Sequence, residues 1–174
     1  MQQGVVRKRR PAPVSEYGKQ LQAKQELKKQ YHLREKQMRR YFSESIRNAS
    51  KGNSPELFMQ ALERRMDSAV FRAGMAKSRA QARQMVNHGH FLVNGKAADI
   101  PSLKLQKGDV VKVRPASMTT PMMQAVTLAM KKHEAPAWIL LNKESMEFSF
   151  QDLPTMQVVA PSVDIALVFE FYSR

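Results

Sequence analysis

At 174 residues the chain has the size of one domain, or of one domain with a modest appendage. A hydrophobic fraction of 43% supports a real core and excludes wholesale disorder, and the absence of cysteine excludes disulfides and Cys-based zinc sites. Twenty-nine basic against fifteen acidic residues leave +14, a self-repelling excess that an acidic partner would relieve, nucleic acid before an anionic membrane surface.

The charge falls in blocks: +9 over residues 1–50, −1 over 51–63, +8 over 64–114 and −2 over 115–174. A merely soluble chain mixes its signs, so two basic blocks ahead of a near-neutral tail read as a footprint for a polyanion. No apolar run reaches the roughly 18 residues of a membrane span, and the N-terminus lacks a secretory h-region, so no membrane partner is expected. The acid-free first fifteen residues have the composition of an organelle transit peptide, but Pro11 and Pro13 spoil its amphipathic helix.

Met1 to Ser15 reads as a flexible basic arm around Arg7, Lys8, Arg9 and Arg10, of the kind that orders on nucleic acid. Glu16 to about Asn48 reads as helix with a thin apolar stripe (Leu21, Leu27, Leu33, Met38, Phe42), which leaves one face for a partner. Asn53-Ser54-Pro55-Glu56 starts a helix. Leu57, Phe58, Ala61, Leu62, Met66, Ala69 and Val70 carry it at three- and four-residue spacing to Gly74. A shorter helix begins at Ser78, with Gln81 placed for a capping box, and ends at Gly89.

The period then changes to two. Phe91-Leu92-Val93 leads into Asn94-Gly95, a pair suited to a type I′ hairpin because both residues tolerate positive φ, and Lys96-Ala97-Ala98 returns. Leu103 and Leu105 alternate about Lys104, Lys107-Gly108-Asp109 turns, and Val110 to Arg114 forms a third strand. Met122 to Lys132 reads as a Met- and Ala-rich helix. Trp138–Leu141, Glu147–Phe150 and Ile165–Phe171 read as strands, with a helix as the second reading of the last.

The expected class is α+β. A basic helical N-terminal region (1–60) precedes a compact two-helix and small antiparallel-sheet module (61–125), and a C-terminal helix-and-strand extension (126–174) packs on the body.

Arg79 and Arg83 stand four apart on one helical face, with Arg72, Lys77 and Ser78 at the helix start, where free N–H groups also favour phosphate. This reading needs the guanidiniums to face outward rather than pair with carboxylates of the same chain. Few acids lie nearby, and Asp67, between Arg65 and Arg72, reads as a structural ion-pair partner rather than a catalytic acid. His88 and His90, around Gly89, read equally as RNA-facing imidazoles or as a helix cap. Lys96 at the hairpin tip can reach phosphate, whereas Asn94 serves the turn first. Nothing has the spacing of a metal site, a nucleophile–His–carboxylate set or a Gly-rich nucleotide loop, so no metal, cofactor or enzyme activity is expected.

Leu62-Glu63-Arg64-Arg65-Met66-Asp67, Phe71-Arg72, Gly74 and Ser78-Arg79-Ala80-Gln81-Ala82-Arg83-Gln84 resemble the helices of the S-four RNA-binding module. His88-Gly89-His90-Phe91-Leu92-Val93-Asn94-Gly95-Lys96, Ile100-Pro101-Ser102 and Lys107-Gly108-Asp109-Val110 resemble its sheet. The module also occurs in pseudouridine synthases, a tyrosyl-tRNA synthetase and a heat-shock protein of ribosome rescue, so an RNA-modifying or ribosome-rescue protein is the alternative. Arg9-Arg10-Pro11, Ser15-Glu16-Tyr17-Gly18, Arg39-Arg40-Tyr41-Phe42, Pro136-Ala137-Trp138 and Phe171-Tyr172-Ser173-Arg174 resemble the flanking regions of the ribosomal protein S-four family. Many bacterial relatives begin with a longer segment holding a cysteine cluster or its remnant, which has no counterpart here, so no zinc site is carried over.

The resemblance implies a primary rRNA-binding assembly protein of the small subunit, bound at a multi-helix junction in the 5′ domain. It implies ribosomal protein S-five and other small-subunit proteins as neighbours, a place near mRNA entry where decoding accuracy is affected, and a bacterial cytoplasmic or organellar ribosome. The rRNA contacts expected from residues and resemblance together are Arg7, Lys8, Arg9, Arg10, Tyr17, Arg34, Arg39, Arg40, Arg65, Arg72, Lys77, Ser78, Arg79, Arg83, His88, His90, Asn94 and Lys96.

Overall fold

The structure, a computed structural model, describes residues 13–174; the arm residues Arg7, Lys8, Arg9 and Arg10 lie outside them. Helix α1 (Glu16–Gln30) starts where the Ser15 hydroxyl accepts the Gly18 N–H at 3.1 Å. The single helix expected from Glu16 to Asn48 is in fact two. His32 takes φ 50°, and α2 (Glu35–Arg47) begins afresh with the Arg34 N–H donating to the Gln37 side chain at 3.0 Å. Tyr31 and Leu33 both turn inward, which two residues two apart on one helix cannot do.

The next expected helix is also broken, into α3 (Ser54–Glu63) and α4 (Met66–Arg72). The cause is tertiary. The Met66 N–H donates to the Leu103 carbonyl at 2.8 Å and the Asp67 N–H to that of Pro101 at 3.2 Å, so a distant loop satisfies the first free donors of α4. Helix α5 (Arg79–Asn87) keeps its expected cap: the Ser78 hydroxyl accepts the Gln81 N–H at 3.2 Å, while the Gln81 side chain takes the Lys77 N–H rather than that of Ser78.

Strands β1 (Phe91–Val93) and β2 (Lys96–Ala98) form the expected hairpin, with Asn94 at φ 49° and Gly95 at φ 80°. After β3 (Val110–Val113) come α6 (Pro115–Met118), α7 (Pro121–Met130), β4 (Ile139–Asn142), β5 (Glu147–Phe150), α8 (Met156–Val159) and α9 (Ile165–Tyr172). The sheet is larger than the module alone predicts. Its order is β2-β1-β3-β5-β4, antiparallel throughout, and the register Val110↔Ser149 stitches the C-terminal hairpin onto the module.

The strand read over Ile165–Phe171 is corrected to a helix. Asp164 caps it by accepting the Ala166 N–H at 2.9 Å, and Ile165, Val168, Phe169 and Tyr172 pack inward at helical spacing. Helix α9 lies against α1, α2 and α3, with Phe169 edge-on to Phe42 at 4.9 Å and to Phe58 at 5.6 Å. One apolar core runs from there under the sheet through Leu62, Met66, Val70, Met85, Phe91, Val111 and Phe148. No helix among the described residues is long and apolar enough to cross a membrane.

Candidate nucleic-acid interface

The break between α3 and α4 turns two carboxylates inward, and both find arginines. Glu63 is fully buried, and Arg72 grips it with two bonds, Nε to Oε2 at 3.0 Å and Nη2 to Oε1 at 2.8 Å. Arg79 adds Nη2 to Oε1 at 3.2 Å, and the Tyr31 hydroxyl donates to the same oxygen. The Arg79 guanidinium lies between the Tyr31 ring at 4.3 Å and the Phe71 ring at 4.7 Å. Burial, and then the charge of Glu63, pushes the Tyr31 hydroxyl well above the usual tyrosine range.

Asp67 is the ion-pair partner it was read to be. It takes Arg65 Nε at 3.0 Å and Nη2 at 2.7 Å, while Arg65 Nη1 donates to the Tyr41 hydroxyl at 2.7 Å. Burial works against the Arg65 charge, but Asp67 and Tyr41 outweigh it and hold its pKa above the ordinary arginine value. Arg65 is 1% exposed and Arg79 8%, and neither can reach a phosphate on the surface. The expected roles of Arg65 and Arg79 as RNA contacts are therefore corrected to the internal wiring of α3, α4 and α5, and Arg72 joins that wiring through Glu63. Of the three, Arg72 alone keeps an edge in solvent.

Other expected contacts do face outward. Arg34 just before α2, Arg39 and Arg40 on it, Lys77 and Ser78 before α5, His88 after it, and Lys96 at the hairpin tip are exposed. Arg83 is half-exposed; Nη1 donates to the His32 carbonyl at 3.2 Å, and Asp67 lies 4.0 Å away. That bond joins α5 to the α1–α2 turn, so Arg83 and Arg34 belong to neighbouring parts of one basic face. Tyr17 stands apart, about 20 Å back along α1, with its ring 5.9 Å from Phe171 of α9.

Asn94 is exposed and fastens the hairpin onto the Asp109 turn, donating to Asp109 at 2.8 Å and accepting the Val110 N–H at 2.9 Å. The His88 and His90 rings lie tilted to each other, 6.0 Å between ring centres, and His90 Nδ1 meets the Ser117 hydroxyl at 2.9 Å. Burial, then the charges of His88 and Arg114, holds the His90 imidazole below the usual histidine range. Glu63, Tyr31 and Arg114 were not singled out in the sequence. Glu63 carried a faint signal, as an acid heading an arginine-rich string, but its partners stand 9 and 16 residues away.

Residues 1–63 match the family model described as the ribosomal protein S4/S9 N-terminal domain, and residues 64–111 match that of the S4 domain. Small ribosomal subunit protein uS4 of Persephonella marina is 41% identical over 94% of this chain and 80% of its own length. The chain belongs to the uS4 family. The uS4 of Syntrophobacter fumaroxidans is 44% identical over 92% of this chain and 76% of its own, and that of Streptococcus agalactiae 43% over 92% and 78%. The alternative of an RNA-modifying or rescue protein finds no support in these uS4 matches. In this uS4 chain the boundary between the two matched regions falls at the α3–α4 break, and Glu63, last residue of the first region, clamps Arg72 and Arg79 of the second.

Proposed function

We propose that the chain is a structural, non-catalytic constituent of the small ribosomal subunit that binds its rRNA through the exposed cations of α2, α5 and the β1–β2 hairpin. The observation that carries this is the sorting of charge. Glu63 and Asp67 are buried and bonded to Arg72, Arg79 and Arg65, while Arg34, Arg39, Arg40, Lys77 and Lys96 lie exposed with no ion-pair partner among the described residues. Rigid helices thus hold a row of cations that phosphate neutralises with release of counterions, and shape selects the site, as is general for folded RNA.

In finer detail, the chain is a primary assembly protein at a multi-helix junction of the 5′ domain. It adjoins ribosomal protein S-five and the mRNA entry region, in a bacterial cytoplasmic or organellar ribosome. The segments 1–60, 61–125 and 126–174 act as its working parts, with the basic arm ordering on RNA. Tyr17 serves as a base-stacking residue and His88 and His90 as weaker contacts. Binding of the purified protein to small-subunit rRNA across a salt series tests the reading. Log K is expected to fall linearly with log salt, by roughly 0.7–0.9 per neutralised phosphate. Equal affinity for unrelated structured RNA would leave only a nonspecific polycation.

A further inference from the structure

We infer that Arg114, His88 and His90, with the Ser117 hydroxyl, form a phosphate-binding site where α5, β1 and β3 meet, and that it holds a backbone phosphodiester of the bound RNA. The identity of the ligand rests on the rRNA reading above; the anion site does not.

The β1–β3 register ends at Phe91↔Val113, and one step further the Arg114 N–H donates to the His90 carbonyl at 2.8 Å. Between the two histidines Gly89 sits at φ 70°, and a Cβ there would lie 3.8 and 4.0 Å from the two terminal nitrogens of Arg114, so the guanidinium lies over bare backbone. His90 directs Nδ1 to Ser117 at 2.9 Å, which leaves Nε2 for another partner. The His88 ring closes the group at 6.0 Å from that of His90.

What sets Arg114 apart is partial burial without a counter-charge, since the other arginines and lysines that lack an ion pair on this face are exposed. The arginines buried among α3, α4 and α5 each have a carboxylate (Arg65 on Asp67, Arg72 and Arg79 on Glu63). Arg114 is half-buried and, among the described residues, its guanidinium bonds to no acceptor and no carboxylate. Asp99 continues β2 opposite His90, beyond the pair Phe91↔Ala98, yet it is exposed and forms no ion pair with the three cations. A partly desolvated guanidinium without an anion is costly unless a ligand supplies one. Its forked donors and the adjacent imidazoles suit a phosphate bound through two oxygens.

The test is ring NMR of His88 and His90 during titration with inorganic phosphate, in the wild type and in Arg114→Met, which keeps the aliphatic stem. The ring resonances of both imidazoles are expected to shift with phosphate in the wild type and to stay fixed in Arg114→Met. Should Arg114→Met perturb the amide spectrum of β1 and β3, Arg114→Lys replaces it and is expected to weaken phosphate binding by losing the fork. In the RNA arm, Arg114→Met is expected to reduce the salt slope by roughly 0.7–0.9, one phosphate contact. Imidazoles that ignore phosphate overturn the site. An unchanged slope in a variant that still binds rRNA overturns its use for RNA alone. Wild-type protein that shows the phosphate shifts but binds no rRNA overturns the broader reading and keeps the anion site.

Discussion

The Glu63 carboxylate and the Arg79 guanidinium, sixteen residues apart in sequence, meet at 3.2 Å with both side chains buried. With Arg72 on the same carboxylate, the pair fixes how the end of α3, the length of α4 and the start of α5 lie together. A basic wall presented whole to RNA does not survive this geometry. Three of its arginines hold the scaffold, and the cations left outside carry the surface charge.

Removing Glu63 strands two guanidiniums in the interior. Glu63→Ala is expected to cost about 3–5 kcal/mol, the usual penalty for breaking a buried pair from one side, which lowers the melting temperature by roughly 10 °C in a domain of this size. Thermal unfolding followed by circular dichroism measures it, and a loss below about 2 °C would show that solvent replaces the carboxylate freely.

Arg79 and Arg83 share a helix face but part company in role. Arg83→Ala is expected to leave the melting temperature nearly unchanged and to reduce the salt slope of rRNA binding by roughly 0.7–0.9. Arg79→Ala is expected to lower the melting temperature and, in whatever protein remains folded, to keep the slope. A filter-binding salt series on both variants reads the difference, and identical behaviour would erase the distinction.

The parts of the fold that follow from local chemistry are legible in the chain: the Ser78 cap, the Asn94-Gly95 turn and the alternation through Val111 and Val113. Elements set by distant partners are not. Arg64 and Arg65 read as mid-helix because the loop carbonyls of Pro101 and Leu103 that end the run lie over 30 residues away. Tyr31 to Arg34 contains neither glycine nor proline, so the break there is invisible until Tyr31 is seen bonded to Glu63. Ile165 to Tyr172 is apolar on nearly every side and satisfies both periods, and the cap at Asp164 was the signal that favoured the helix. The site divided in the same way. The residue types were readable, but which arginines face inward depended on carboxylates far along the chain.

Tyr31 and Tyr172 give an alkaline signature. Burial and a neighbouring carboxylate raise both hydroxyls above their unfolded value of 10.0, so the folded state holds its protons while the unfolded chain loses them. Stability is therefore fully present below about pH 10 and declines above it. Urea unfolding between pH 8 and 11 is expected to show this decline, and Tyr31→Phe to make it shallower; a flat profile would mean that both hydroxyls ionise freely in the fold.

At the other end of the scale, Glu35 anchors α9. Partial burial pushes its carboxyl up, but bonds from Lys24, Tyr172 and Lys28 prevail and hold it below its unfolded value of 4.5. This contribution is complete above that value and is lost as pH falls through the lower folded one. Hydrogen exchange is expected to show α9 loosening first in acid, and Glu35→Gln to loosen it already at neutral pH. Protection of α9 amides unchanged in that variant would assign its docking to Phe169 and Val168 alone.

The division of labour among the arginines is tested most directly by crosslinking the protein to RNA in cells and mapping both the peptides and the attached RNA. Peptides bearing Arg34 to Arg40, Lys77, Arg83 and Lys96 are expected to carry small-subunit rRNA, with none attached through Arg65 or Arg79. Crosslinks confined to the outer faces of α9 and β4, or to RNA outside the small subunit, would contradict it.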